Sequence, residues 1–332
     1  MRGREDVAKR VWLMAPVAAL AGACEGPQSA LDPAGREARE VGELFWLMAV
    51  GAGVIWFVVM ALLAYAVWIR PGRAHRQRTA SLLVWIGGIA FPVVVLTALL
   101  VHALPLMPAS RAADGDLRIN VAGEQYWWRV TYPDAGGEAV VTANELVLPV
   151  GRSAEIRLSS PDVIHSFWIP ALAGKVDMIP GRENRLMLRP ERIGRYRGVC
   201  AELCGESHAF MAFDVHVVEE TAFEAWLAGQ ARGAAEPATP EERRGATLFH
   251  ETGCGACHTV RGTPARGRAG PDLTHVGGRS TIAAGHLPTN AGTLAGWIAA
   301  TQDLKPGNKM PAFNVLPGRD LRALGAYLAT LR

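Results

Sequence analysis

The sequence predicts a multidomain membrane protein: a two-helix transmembrane hairpin near the N-terminus, an all-β sandwich in the middle and a small all-α domain at the C-terminus. Three observations lead there. Two long apolar runs, about Leu44–Ile69 and Leu82–Leu106, contain no Asp, Glu, Lys or Arg. From Leu117 to Val218, apolar residues alternate in short runs such as LRINV, AEIRL and FDVHVV, separated by Gly, Pro, Asp and Asn, which is the pattern of half-buried strands. Beyond a small-residue stretch the spacing becomes helical, in EERRGATLFH, TLAGWIAATQ and RDLRALGAYLATLR.

Composition narrows the function. The 332 residues suffice for about two domains, and half of them are hydrophobic. A net charge of +3 gives no basic field of the kind that binds nucleic acid, so no nucleic-acid partner is expected. The cysteines, Cys24, Cys200, Cys204, Cys254 and Cys257, form two close pairs and a single one, a spacing that suggests metal or cofactor chemistry rather than a disulfide framework.

Residues 1–23 read as a signal peptide: Arg2, Arg4, Lys9 and Arg10 precede a short apolar core that ends in LAGAC. Small residues before a lone cysteine resemble a bacterial lipoprotein cleavage site, with Cys24 the lipidated first residue; the alternative is an uncleaved N-terminus with an incidental cysteine. An exported segment 24–43 precedes the hairpin, 44–107. Each apolar run approaches the ~20 residues that a bilayer core requires. The basic loop between them, with Arg70, Arg73, Arg76 and Arg78, places that loop in the cytoplasm and everything after Pro108 outside it. The sandwich is expected over 108–230, a linker rich in Ala and Pro over 231–240, and the helical domain over 241–332.

The helical domain carries CGACH, Cys254–His258. In C-x-x-C-H, two thiols one helical turn apart bond the vinyl groups of haem c, and the adjacent His258 reaches the iron. Met310 in KPGNKMPAF supplies the second axial ligand, because a thioether holds the iron in the potential range of cytochromes c. A thioredoxin-like pair would lack the immediate histidine. Pro271 resembles the proline whose carbonyl fixes the axial histidine in small cytochromes c. His250 and His275 have no partner motif and read as surface or loop residues.

The sandwich carries VCAELCGESHAFM, Val199–Met211. Thiolates select Cu(I), imidazole suits both copper states and a thioether is a weak axial ligand, so Cys200, Cys204, His208 and Met211 suit copper. A second thiolate lets both sulfurs bridge a metal pair and spread one electron over it. Such a pair needs another histidine. His165 in PDVIHSFWIP can supply it, whereas His216 alternates out of phase with Phe213, Val215 and Val217 and is expected to face solvent. A Cys200–Cys204 disulfide, or zinc held with His208, leaves His165 and Met211 without a purpose. A copper-delivery chaperone explains neither Glu202, Met211 nor the haem motif.

C-x-E-x-C-G-x-x-H-x-x-M, with IHSFWIP and QYWW upstream, resembles cytochrome c oxidase subunit II of the haem–copper oxidases, and the C-terminal domain resembles the bacterial caa-type form with a fused cytochrome c. The resemblance spans nearly the whole chain and implies a cupredoxin sandwich and a class I cytochrome c domain. It further implies that Cys200 and Cys204 bridge the two coppers of a CuA centre, with His165 and Met211 on one metal and His208 and the Glu202 carbonyl on the other. Which histidine belongs to which metal stays open. The Glu202 side chain would reach a magnesium or manganese ion shared with the catalytic subunit. The implied activity is electron transfer in an oxygen-reducing, proton-translocating oxidase of the bacterial inner membrane, with the copper and haem domains on the periplasmic side. Implied partners are subunits I and III, cytochrome c or an upstream quinol–cytochrome c reductase, and membrane lipid. The chain alone has no transmembrane histidine cluster for oxygen chemistry; His102 stands alone in the spans. Two departures from the family pattern matter. QYWW puts Tyr126, followed by Trp127, where the electron-accepting tryptophan usually stands, and Leu82 replaces a glutamate found at a proton-channel mouth in many members. A copper-containing nitric oxide reductase shares this architecture and is the alternative; the nitrous oxide enzyme typically has an aromatic residue at the position of Glu202 and no hairpin.

Overall fold

The computed structural model describes residues 25–69, 77–106, 117–133 and 139–332. The signal segment, Cys24, and Arg70, Arg73 and Arg76 of the basic loop lie outside them. The chain divides into two compact units, Arg39–Ala113 and the remainder, Met1–Ala38 with Asp114–Arg332.

In the first unit, helix α1 (Arg36–Ala64) continues into a π-helical turn, Tyr65–Ile69. Helix α2 (Gln77–Trp85) passes through a π-helical turn, Ile86–Ala90, into α3 (Phe91–Ala103). Arg36–Ile69 and Ala80–Leu106 are long and apolar enough to cross a membrane. Their large side chains, among them Trp56, Phe57, Trp68 and Val94, lie exposed. A helix that is apolar all round and buries no stripe of its own needs lipid or a partner around it.

The second unit holds the sandwich and the helical domain. Its sheets are β3–β2–β1–β5–β8 and β4–β10–β9–β6–β7, built from β1 (Leu117–Glu124), β2 (Trp127–Tyr132), β3 (Val140–Ala143), β4 (Glu145–Pro149), β5 (Ala154–Ser159), β6 (His165–Trp168), β7 (Val176–Met178), β8 (Asn184–Leu188), β9 (Gly194–Cys200) and β10 (Ala212–Val218). The β1–β5 and β10–β4 pairs are parallel and the others antiparallel. The alternation expected of β10 is present: Phe213, Val215 and Val217 are buried. Between the sheets Trp128 packs on Phe167 and Phe213, whose rings stack at 4.8 Å. Ala34, just before α1, joins this core, with its amide bonded to the Ala171 carbonyl at 2.7 Å, and Ala38 in the first turn of α1 is buried.

Helix α4 (Glu220–Ala231) follows β10 and was not expected from the sequence. Its signal is Phe223, Trp226 and Leu227 at i, i+3 and i+4, which pack on the sandwich core against Tyr132. Helix α5 (Pro240–Glu251) opens with a capping box, the Thr239 side chain accepting from Glu242 N and Glu242 answering to Thr239 N. Helices α6 (Ala291–Ala299) and α7 (Gly318–Thr330) complete the helical domain. Gly245 of α5 lets α7 approach closely, since a Cβ there would stand 2.0 Å from the Ala323 carbonyl oxygen.

Of two expectations about histidines, the one for His216 needs correction. His275 is a loop residue but buried, its Nε2 donating to the Arg232 carbonyl at 3.1 Å. His216 does point away from the core of the sandwich, yet only 17% of its side chain is exposed and it lies 3.7 Å from Glu145. The outer face of β10 is covered by the helical domain: Ala212 N bonds the Ala284 carbonyl at 3.0 Å, and the Thr281 hydroxyl bonds Asp214.

Candidate copper and haem sites

The loop from Cys200 to Met211 is shaped by its own backbone. Strand β9 ends at Cys200, whose amide bonds the Met211 carbonyl at 2.9 Å, so the loop closes on itself between the two residues. Ala201 N bonds the Ser166 carbonyl, which anchors the loop beside His165 at the start of β6. Gly205 sits at φ +131°, and a Cβ there would stand 2.5 Å from the Tyr126 hydroxyl; only glycine fits.

These constraints gather the expected donors. The nitrogen and sulfur atoms of His165, Cys200 and Cys204 lie within 4.8 Å of one another. His165 Nδ1 is 3.8 Å from Cys200 Sγ, and the Glu202 carbonyl is 3.2 Å from the same sulfur. Cys204 Sγ lies 3.6 Å from His208 Nδ1 and 3.8 Å from Met211 Sδ. Both cysteines are buried and free, so the sulfurs are available as ligands. The Cys204 thiol, by donating to Cys200, pulls the Cys200 thiol down to about 3 against the effect of burial, while Cys204 itself is pushed up. A soft metal would displace the thiol protons on binding. The Glu202 side chain takes no part in this cluster: it is exposed and faces Lys175 at 3.6 Å.

Asp162 was missed in the sequence, although its place three residues before His165 was a signal. Its Oδ1 is 2.9 Å from His165 Nε2, which leaves Nδ1 facing the sulfurs. Burial would raise the Asp162 carboxyl, yet the Gln125 amide, His165, the Val163 amide and Lys309 together hold it at about 2. Burial also opposes protonation of His165, but its bonds to Cys200 and Asp162 outweigh that and shift it upward.

In the helical domain Cys254, Cys257, His258 and Met310 line one cavity of about 370 Å³. His258 Nδ1 donates to the Pro271 carbonyl at 2.8 Å, so Nε2 is left as the free nitrogen. Burial holds His258 below its usual range and keeps it neutral. Met310 is held by backbone bonds on both sides: its amide donates to Asn308 Oδ1 at 2.9 Å, and its carbonyl accepts from the Thr301 hydroxyl at 3.0 Å. Arg279, buried and lining the same cavity, has an Nε without a partner. A haem fits this donor set, with thiols for the vinyl groups, imidazole and thioether for the iron, and a buried guanidinium for an anionic propionate.

Tyr126 and Trp127 line that same cavity. Tyr126 is buried, and its hydroxyl accepts from Glu206 N at 3.0 Å inside the copper loop. Lys305, from the segment that carries Met310, is 3% exposed and donates to the carbonyls of Tyr126 at 2.6 Å, Phe210 at 2.9 Å and Ala283 at 3.0 Å. Burial pushes this lysine down to about 7. The Ser207 hydroxyl donates to the Pro306 carbonyl at 2.6 Å. The copper loop and the haem ligand loop thus share a wall, and sequence reading placed Tyr126 near the copper site without placing it against the haem cavity.

Comparison with known proteins agrees with both halves of this picture. Residues 135–218 match the family described as the periplasmic domain of cytochrome c oxidase subunit II, and residues 242–332 match cytochrome c. Cytochrome c oxidase subunit 2 of Alkalihalophilus pseudofirmus is 34% identical over 327 residues, covering 93% of each chain. The protein of the same name from Bacillus subtilis is 33% identical over 254 residues, 74% of this chain and 70% of that one. Among solved structures, the periplasmic domain of subunit II of cytochrome oxidase of Bradyrhizobium japonicum is 34% identical and covers 36% of this chain and 95% of its own, with a TM-score of 0.34. The chain belongs to the cytochrome c oxidase subunit II family, in a form that carries a cytochrome c domain at its C-terminus.

Proposed function

We propose that the chain is the electron-receiving subunit of a terminal oxidase: it takes electrons from cytochrome c or a quinol–cytochrome c reductase and delivers them to a separate subunit I, where oxygen is reduced to water with proton translocation. Haem c and a dinuclear copper centre, when bound, supply the one-electron redox chemistry. Cys254, Cys257, His258 and Met310 would hold the haem. Cys200, Cys204, His165, His208, Met211 and the Glu202 carbonyl would hold the copper. The Glu202 carboxylate, exposed beside Lys175, is free to turn toward a magnesium or manganese ion at the border with subunit I. The two apolar helices anchor the subunit in the bacterial inner membrane as a multi-pass protein, with subunits I and III beside it and the copper and haem domains on the periplasmic side.

The observation that carries this reading is the shared wall. Tyr126 touches the copper loop through its hydroxyl and lines the haem cavity, so the two redox sites are neighbours within one compact unit. Metal and haem analysis of the purified complex tests it, with turnover on oxygen compared with turnover on nitric oxide. The expected result is two coppers and one covalent haem c per chain, with oxygen the faster substrate. Faster turnover on nitric oxide would establish the reductase alternative instead.

Lipidation of Cys24 is proposed on the LAGAC site alone. Mass spectrometry of the mature N-terminus should find diacylglycerol on Cys24; an intact Met1 refutes it. Since two helices already anchor the chain, removing the lipid should leave it in the membrane.

A further inference from the structure

The haem ligand loop and the copper site also meet through charge. Asp162 offers one oxygen to His165, Oδ1 at 2.9 Å from Nε2, and the other to the haem domain, Oδ2 at 3.2 Å from Lys309 Nζ. Lys309 is the residue before Met310. The carboxylate is held in place by the amides of Gln125 and Val163, each at 2.8 Å, and the Gln125 side chain donates in turn to the Cys204 carbonyl at 2.7 Å. One carboxylate, 16% exposed, therefore stands between an imidazole of the copper cluster and a cation of the haem domain.

We propose that Asp162 and Lys309 are a pair of positioning residues that couple the copper site to the docked haem domain, Asp162 setting the electron donation of His165 and Lys309 moderating it. This rests on the reading of His165 as a copper ligand. A carboxylate on the outer nitrogen of a ligating histidine fixes its tautomer and makes it a stronger donor. Stronger donation and added negative charge both favour the oxidised, more positive metal, so Asp162 lowers the copper potential. A cation on the same carboxylate withdraws part of that effect. Lys309 is 64% exposed, and an exposed ion pair adds little to folding stability. Its consequence lies in the potential instead. With Lys309 on the carboxylate, the copper pair is the better electron acceptor.

The test is the midpoint potential of the copper centre in the intact complex, measured by spectroelectrochemical titration on variants shown to hold two coppers per chain. Lys309→Gln should lower the potential and Asp162→Asn should raise it. Lys309→Gln should have no further effect once Asp162 is Asn, because the lysine acts through that carboxylate. An equal shift from Lys309→Gln in both backgrounds would mean a through-space charge effect only and overturns the coupling. If Asp162→Asn fails to hold copper, Lys175→Gln is the comparison, because that lysine stands 3.6 Å from the Glu202 side chain without a bond to Asp162: an equal shift from the two lysines overturns the proposal, and a larger shift from Lys309→Gln supports it. Copper content is read separately, so loss of the coupling and loss of the site assignment are distinguishable.

Discussion

Cys200→Ser is expected to remove the copper pair while leaving the fold and the covalent haem intact. Serine oxygen is hard, keeps its proton at neutral pH and is a poor ligand for Cu(I), so copper should fall from two per chain to at most one. The backbone that shapes the loop does not depend on the sulfur: the Cys200 amide bonds the Met211 carbonyl at 2.9 Å, and Ala201 bonds Ser166 at 2.9 Å. A serine hydroxyl can still donate to the Glu202 carbonyl, which the thiol now does at 3.2 Å, so no buried polar atom is stranded. Haem attachment is carried by Cys254 and Cys257 in the other domain and should be unaffected. Loss of electron delivery should exceed the ~10–100-fold that removing an outer-shell partner of a metal site typically costs. Elemental analysis, the mixed-valence copper spectrum and a haem stain on one preparation check all of this. Retention of two coppers and an unchanged spectrum would show that Cys200 is not a ligand.

What the sequence discloses about this chain follows the range of the interactions concerned. The proposed copper donors Cys200, Cys204, His208 and Met211 fall within one loop, and the proposed haem donors Cys254, Cys257 and His258 within one turn, so their spacing could be read locally. Strands such as β10 are equally legible, because inward residues must alternate. Alternation cannot say what covers the other face. His216 was expected in solvent because only one side of β10 could be read, whereas the helical domain lies over that side through Ala284 and Thr281. Lys305 shows the same limit more sharply. Lysine is almost never fully buried unless paired, and nothing in KPGNKMPAF announces that this lysine would place its ammonium among three carbonyls from Tyr126, Phe210 and Ala283, two of them more than ninety residues away in sequence. Asp162 is a mixed case: its spacing of three residues from His165 is local, whereas Lys309 lies across a junction that no local pattern records. Helix α4 is a different case, since Phe223, Trp226 and Leu227 carried the helical period and an unbroken sandwich was read across them.

Met310→His is expected to keep the haem attached and six-coordinate but to lower its potential, because imidazole stabilises ferric iron relative to a thioether. The substitution sits in a loop whose geometry is fixed independently of the side chain. The residue 310 amide is held by Asn308, and its carbonyl by Thr301 and by Gln302 at 2.9 Å, so the new imidazole is presented from the same place on the cavity wall. Axial ligation spans ~0.8 V across haem proteins, and each ~59 mV of a one-electron couple is a factor of ten in its equilibrium constant. If the fused haem is the route to copper, a lower haem potential reduces the equilibrium transfer of an electron from cytochrome c about tenfold for each ~59 mV, and steady-state oxidation of cytochrome c should fall. A small artificial donor that reduces the copper centre directly should still support oxygen turnover. Tyr126 is buried, lines the haem cavity and is bonded by Lys305, so its side chain offers a mobile carrier no exposed surface. Oxidation of cytochrome c at the wild-type rate by the Met310→His complex, with its lowered haem potential confirmed by titration, would mean that electrons reach copper without passing the fused haem.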